Sequence, residues 1–189
     1  YSSPRSIKTK TLGQLTELAE AGLHIAYLGL ESGNEQVLAR MNKGETVSEI
    51  IEAGRKVKAA GIALSLTAIN GLGGAEMSRE HAIDTAKAVS AIKPDYVALL
   101  TLRVYTGTPL ADWVEEGSFT LMDPVELARE SRLFLEHVDS EGSVFRSNHA
   151  SNYLPLAGTL NADREKMIAQ LDAALAGKRR FRSQVELGF

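Results

Sequence analysis

The chain has no cysteine among its 189 residues, which removes disulfides, thiolate nucleophiles, zinc–thiolate sites and iron–sulfur ligation by cysteine from its own chemistry. Aromatic residues are 6% of the sequence, and Trp113, Phe119, Phe134 and Phe145 stand singly, as core packing does, rather than as a base-stacking platform. No charge dominates: 21 Lys and Arg face 24 Asp and Glu, a net charge of -3, so no electrostatic footprint for nucleic acid or an anionic membrane is present. The one basic cluster, Lys178, Arg179, Arg180 and Arg182, follows Gly177 and reads as a solvated helix end. No run of 18 apolar residues occurs, and the first five residues lack the apolar core of a signal peptide, so no membrane partner and a cytoplasmic location are expected.

What is present is a repeated plan of amphipathic helix, stop and apolar strand. Leu12 to Ala21 places Leu12, Leu15, Leu18 and Ala19 on one helical face, Gly22 ends it, and Leu23 to Leu30 reads as a strand. Glu49 to Ala60, with Ile50, Ala53, Val57 and Ala60 as its stripe, stops at Gly61 before a strand over Ile62 to Ile69. Ser78 to Ile92 breaks at Lys93-Pro94-Asp95 and leads into Tyr96 to Leu102. The strands start at residues 23, 62 and 96, 39 and 34 residues apart, which suits successive β/α units and is too long for hairpins. Their largely apolar character predicts a parallel sheet covered by helices, while Ser65 and Thr67 mark one face of the second strand as the side nearer a cavity or a small polar network.

Right-handed crossovers bring the following loops to one edge of the sheet, where ligands bind. The candidate site is therefore Gly29 to Asn34, Asn70 to Gly74 and Arg103 to Thr108. Beyond Pro109, Asp123-Pro124 starts a helix over Val125 to Val138, a long loop spans Ser140 to Thr159, and a last helix covers Asp163 to Leu175. The chain divides into residues 1–110, a partial β/α barrel with three parallel strands, and residues 111–189, a mainly helical extension packed on it. A complete eight-fold barrel takes ~250 residues.

Within the candidate site, Glu31 offers a carboxylate for ligand hydroxyls or an ammonium, and Gly29 and Gly33 allow close backbone approach. The competing reading makes Glu31, Ser32 or Asn34 the cap of the next helix. Gly71-Leu72-Gly73-Gly74 either cradles an anion or nucleotide edge with its amides or is a plain tight turn. It is neither a dinucleotide fingerprint nor a P-loop. Arg103 pairs with a ligand carboxylate or with Glu31. His81 and Asp84 share a helix face without an evident third ligand, so no metal residue is assigned. His149 lies in the polar stretch Arg146 to Tyr153, which either folds over the active edge or satisfies itself as an Ω-loop. Gly-x-Ser-x-Gly is absent, so a hydrolase triad has no support.

The run Tyr27-Leu-Gly-Leu-Glu-Ser-Gly-Asn34, continuing through Glu35 to Thr46, resembles the fourth-strand region of radical S-adenosylmethionine (SAM) enzymes. Ala59 to Ile69 with Gly71-Leu-Gly-Gly74 resembles their fifth-strand unit, and Pro94-Asp-Tyr-Val97 through Leu102 the sixth. The Arg146 to Tyr153 loop and final helix resemble C-terminal extensions in a group of uncharacterised iron–sulfur oxidoreductases of that superfamily. The resemblance implies an α/β fold, the C-terminal half of a partial parallel barrel with a helical extension. It also implies SAM and a 4Fe-4S cluster as cofactors of the intact protein, whose Cys-x-x-x-Cys-x-x-Cys loop this sequence lacks.

By the same resemblance, Glu31 and Ser32 face the SAM ribose or amino group, Gly71, Leu72 and Gly73 sit near the adenosyl moiety, and Arg103 lies near cofactor or substrate. His149 and Asn148 stand on the substrate side. The expected function is a part of a radical SAM oxidoreductase of unknown substrate, unable to catalyse alone. A non-catalytic nucleotide-binding or interaction module and a cofactor-independent β/α enzyme using Glu31 and His149 remain alternatives. The expected partners are the missing N-terminal half of the barrel and, through the open edge of the strand that begins at Leu23, a second copy of the chain.

Overall fold

Side-chain caps begin most of the helices, and these set the spacing of the whole chain. The computed structural model describes residues 1–187. In chain order it holds helices α1 (Pro4–Lys8) and α2 (Leu12–Glu20), strand β1 (Ile25–Glu31), helices α3 (Glu35–Arg40) and α4 (Val47–Ala59), strand β2 (Ala63–Asn70), helix α5 (Ser78–Ile92) and strand β3 (Tyr96–Thr101). Helices α6 (Pro109–Glu115) and α7 (Pro124–His137), strands β4 (Val144–Ser147) and β5 (Leu156–Thr159) and helix α8 (Arg164–Leu175) follow. Thr46 and Asp123 form reciprocal capping boxes with Glu49 and Glu126, satisfying amides that a helix start otherwise leaves orphaned. Lys93 ends α5 in the left-handed conformation, and the following Pro94 prevents its continuation.

One five-stranded sheet results, in the order β1-β2-β3-β4-β5. The first four strands are parallel and β5 is antiparallel to β4. The architecture is mixed α/β and resembles part of a parallel barrel. Three strands were expected; the fourth and fifth lie in the stretch from Ser140 to Thr159, read from its Ser, Asn and Gly content as a loop. The apolar positions there are sparse, but Phe145 is fully buried and stacks on Phe134 of α7 at 6.1 Å, and this one aromatic anchors β4 beside β3.

Strand alternation divides the sheet into two faces. Leu28, Leu30, Leu64, Leu66, Val97, Leu99 and Phe145 are buried against α4, α5 and α7, each contributing about 1.5–3 kcal/mol of apolar burial. The opposite face carries Tyr27, Ser65 and Tyr96 in one row and Gly29, Thr67, Ala98 and Arg146 in the next, by strand register. Tyr27 and Tyr96 on that face are each 42% exposed. Ser65, between them in the register, is 7% exposed.

One expectation changes in detail. Of the α2 stripe only Leu15 is deeply buried, with Leu12 and Leu18 exposed, because α2 packs on one side only, against α4. The outer edge of β1 is partly occupied: Ser2 forms a parallel bridge with Leu28, and its amide donates to the Tyr27 carbonyl at 2.9 Å. No helix among the described residues is long and apolar enough to cross a membrane.

Candidate functional site

The end of β1 is irregular, and that irregularity builds the site. Pairing with β2 shifts between Gly29 and Glu31, a bulge that re-aims the side chains beyond it. Glu31 itself has φ of 61°, a left-handed conformation uncommon for any residue but glycine and costing roughly 1–2 kcal/mol. Its carboxylate folds back over Gly29, where a β-carbon would collide with Glu31 Oε1. The Lys43 ammonium meets Glu31 Oε1 at 3.3 Å, with about a quarter of each side chain exposed. A carboxylate and an ammonium thus stand together at one end of the open face.

Lys43 was not singled out from the sequence. The signal lay in Asn42 and Gly44 on either side of it, both with positive φ, a turn that points the intervening lysine back at the strand end.

Next to Glu31 the chain turns inward. Ser32 is fully buried, and its hydroxyl lies 2.8 Å from His81 Nδ1. Gly33 donates to the Thr85 hydroxyl, and a β-carbon at Gly33 would strike the backbone of Asp84 and Thr85. Asn34 is the residue that caps the next helix, accepting from the amides of Gln36 and Val37, while its side-chain amide donates to Asp84 at 2.8 Å. The capping reading therefore holds for Asn34 and leaves Glu31 unused by it. Ser32 and Glu31, paired in the resemblance, point to opposite sides of the sheet end.

The Gly71 to Gly74 segment is a buried turn. The amides of Gly71, Leu72 and Gly74 are used internally, by Glu130 Oε1 at 2.6 Å, by the Ile69 carbonyl and by the Gly71 carbonyl. This corrects the anion-cradle reading in favour of the tight turn: amides already bonded within the protein are not available to a phosphate. Gly71, Leu72 and Gly73 shape the end of β2 instead.

His81, which shares a helix face with Asp84, is 2% exposed. Helix α5 lies under both strand ends, so its inner face meets them rather than water. His81 Nε2 donates to the Ile69 carbonyl at 3.0 Å, leaving Nδ1 to accept from Ser32. Burial pushes its pKa down to about 4, so the ring is neutral at pH 7. Glu130 of α7, 3% exposed, stands 3.7 Å from His81 Nε2, and burial outweighs the Ser78 hydroxyl and the Gly71 amide to push its pKa up to about 7. Sequence reading missed Glu130 entirely; it sits on the apolar face of an amphipathic helix with no local motif to mark it.

Arg103 follows β3 and is half-buried, while His149 and Asn148 are exposed in the loop after β4. His149 Nδ1 lies 3.0 Å from the Ser151 hydroxyl and accepts from the Ser151 amide. Ser151 and Asn152 bind back to Thr101, Leu99 and Ser147, so this loop is pinned to the ends of β3 and β4. Among the described residues no group of three or more His, Cys, Asp or Glu side chains could hold a metal ion. With no cysteine in the sequence, the residues present do not fit an iron–sulfur cluster.

The family model of the radical SAM superfamily matches residues 3–89. An uncharacterized protein of Methanocaldococcus jannaschii is 30% identical over 136 residues, 71% of this chain and 42% of the relative. The chain thus spans less than half the length of that relative. In fold it is similar to archaeal Elp3 of Methanocaldococcus infernus bearing an N-terminal deletion, with a TM-score of 0.64 and 17% identity over 95% of this chain and 42% of that one. Methylornithine synthase gives a TM-score of 0.49 at 19% identity, over 91% of this chain and 56% of that one. Residues 3–89 thus match the radical SAM superfamily, consistent with a fragment of a protein of that superfamily, and the chain does not itself carry the cysteines of the cluster-binding loop.

Proposed function

We propose that this chain supplies one side of a radical SAM active site in the cytoplasm, with Glu31 and Lys43 holding the polar end of SAM and the open sheet face lining the space for substrate. The observation that supports this most is Glu31: a strained residue at a bulge, its carboxylate laid over a bare glycine and beside an ammonium. Strain of this kind persists where the surrounding structure over-determines it, and it clusters at functional sites.

The donor set fits SAM. A carboxylate accepts from an α-ammonium or from vicinal ribose hydroxyls, and the Lys43 ammonium pairs with an α-carboxylate. Ser32 and the Gly71-Leu72-Gly73 turn act from beneath, fixing the ends of β1 and β2 through His81 and Glu130. Arg103 and the pinned loop bearing Asn148 and His149 occupy the β3–β4 end, on the substrate side. In this reading residues 1–110 form the barrel part and residues 111–189 the extension. When bound together, SAM and a 4Fe-4S cluster supply a 5'-deoxyadenosyl radical; this chain provides no ligand to that cluster. The first half of a barrel, carried by another segment or another chain, covers the open face and brings the cysteines.

The test is anaerobic reconstitution of a polypeptide in which this chain follows a cysteine-bearing first half. SAM cleavage is expected, and Glu31→Ala is expected to weaken SAM binding at matched cluster loading. Unchanged affinity would overturn the role of Glu31, and cluster-loaded protein that neither binds nor cleaves SAM would overturn the reading.

A further inference from the structure

The buried pair of His81 and Glu130 has features that packing alone does not require. Glu130 Oε2 is buried with no hydrogen-bond partner among the described residues. Its other oxygen takes the Gly71 amide at 2.6 Å. An ionised carboxylate left so poorly solvated is strongly disfavoured, whereas a neutral acid hides the same atom at a much smaller penalty.

The connections run outward from this acid in two directions. Through Oε1 it holds Gly71, whose φ of 83° disfavours any side chain and which lies against Leu127 of the same helix. Oε1 also stands 3.7 Å from His81 Nε2, beyond hydrogen-bond distance; His81 itself binds the Ile69 carbonyl and the Ser32 hydroxyl, and Ser32 Oγ in turn accepts from the Asn34 amide at 3.0 Å. One acid and one imidazole therefore join the turn after β1 to the turn after β2.

We propose that Glu130 is a positioning residue: its carboxyl group fixes the Gly71 turn and, through His81, ties that turn to Ser32 beside Glu31, and the tie tightens when the carboxyl ionises. The carboxylate bond to an amide is roughly twice as strong as that of the neutral acid. Ionisation also draws the His81 Nε2 proton toward Glu130 and away from Ile69. The consequence for SAM rests on the function proposed above; the tie itself does not.

The groups facing Glu130 are few. Helix α5 presents His81 and Ser78, with Asp84 acting on His81. The β2 turn presents the Gly71 amide. On its own helix Glu126 is held by the Asp123 amide, and the Asp172 carboxylate of α8 is engaged by Arg132. The titration at this place therefore belongs to the Glu130–His81 pair.

The experiment is a pH titration of the full, ligand-free chain by amide nuclear magnetic resonance, comparing wild type with Glu130→Gln. The Gly71 amide proton is expected to move downfield as pH rises through about 7, with the Ser32 and Asn34 amides moving at the same midpoint, and all three are expected to lose this titration in Glu130→Gln. A Gly71 amide that does not titrate, or that titrates equally in the variant, would overturn the proposal. Movement of Gly71 without Ser32 would overturn the tie through His81. Should Glu130→Gln fail to fold, infrared spectra of wild type with isotope-labelled glutamate decide instead. A protonated carboxyl band disappearing at that midpoint supports the proposal, and its absence below the midpoint overturns it. Since no ligand is added, failure here is separate from failure of SAM to bind.

Discussion

The Glu31 carboxylate occupies the space that a side chain at Gly29 would fill, and a β-carbon there would also come within 3.1 Å of Lys43 Nζ. The atoms in the way are the ends of two flexible side chains, which can swing aside. Gly29→Ala is therefore expected to fold with little loss of stability while displacing Glu31 from Lys43 and weakening SAM. Gly33→Ala meets the Asp84 and Thr85 backbone instead, which cannot yield, and is expected to destabilise by at least about 3 kcal/mol. Denaturant unfolding of the two variants, side by side, checks the contrast.

Relieving the strain at Glu31 separates stability from binding. Its left-handed backbone costs roughly 1–2 kcal/mol, and glycine removes that while adding about 0.5–1 kcal/mol of chain entropy to be lost on folding. Glu31→Gly is expected to be as stable as wild type or slightly more so, yet to lose SAM binding. Thermal unfolding and ligand titration read the two effects; a clear loss of stability would mean that the carboxylate's contacts outweigh the strain.

The buried pair sets the pH dependence of stability, with two opposing signs. His81 falls from its ordinary 6.5 to about 4 on folding, so below 6.5 the unfolded chain takes up a proton that the folded chain refuses, and stability falls with decreasing pH down to about 4. Glu130 rises from 4.5 to about 7, so the folded chain keeps a proton that the unfolded chain has released, and stability falls as pH rises from 4.5 through 7. Each difference of one proton gives about 1.4 kcal/mol per pH unit, and where the windows overlap the slopes cancel. Wild type is expected to be nearly flat between pH 4.5 and 6.5 with respect to this pair. Glu130→Gln is expected to gain stability with rising pH over that interval, and His81→Asn to lose it. Chemical denaturation at the two ends of the interval checks the three slopes.

Much of this fold is legible because its signals are local and redundant. Caps, helical stripes and apolar strands mark α4, α5, α7 and the first three strands within a few residues of their observed bounds. Strands β4 and β5 are not legible that way, since each has only four residues and is held by tertiary pairing and by Phe145. The same division runs through the site. Glu31 stands out because a carboxylate between glycines at a strand end is unusual in itself. Glu130, and the role of His81, are invisible because they come from the packing of α5 and α7 on the strand ends, 49 residues and a helix apart.

The central claim is that the open sheet face and its Glu31–Lys43 end receive SAM. The most direct measurement is chemical-shift mapping of the isotope-labelled chain as SAM is added, with Glu31→Ala as the control. The expected result is saturable shifts at Gly29, Glu31, Lys43, Thr67 and Ala98, sparing Leu64 and Leu66 on the helix-covered side and much reduced in the control. Shifts confined to other surfaces, or unaffected by loss of the carboxylate, would contradict the account.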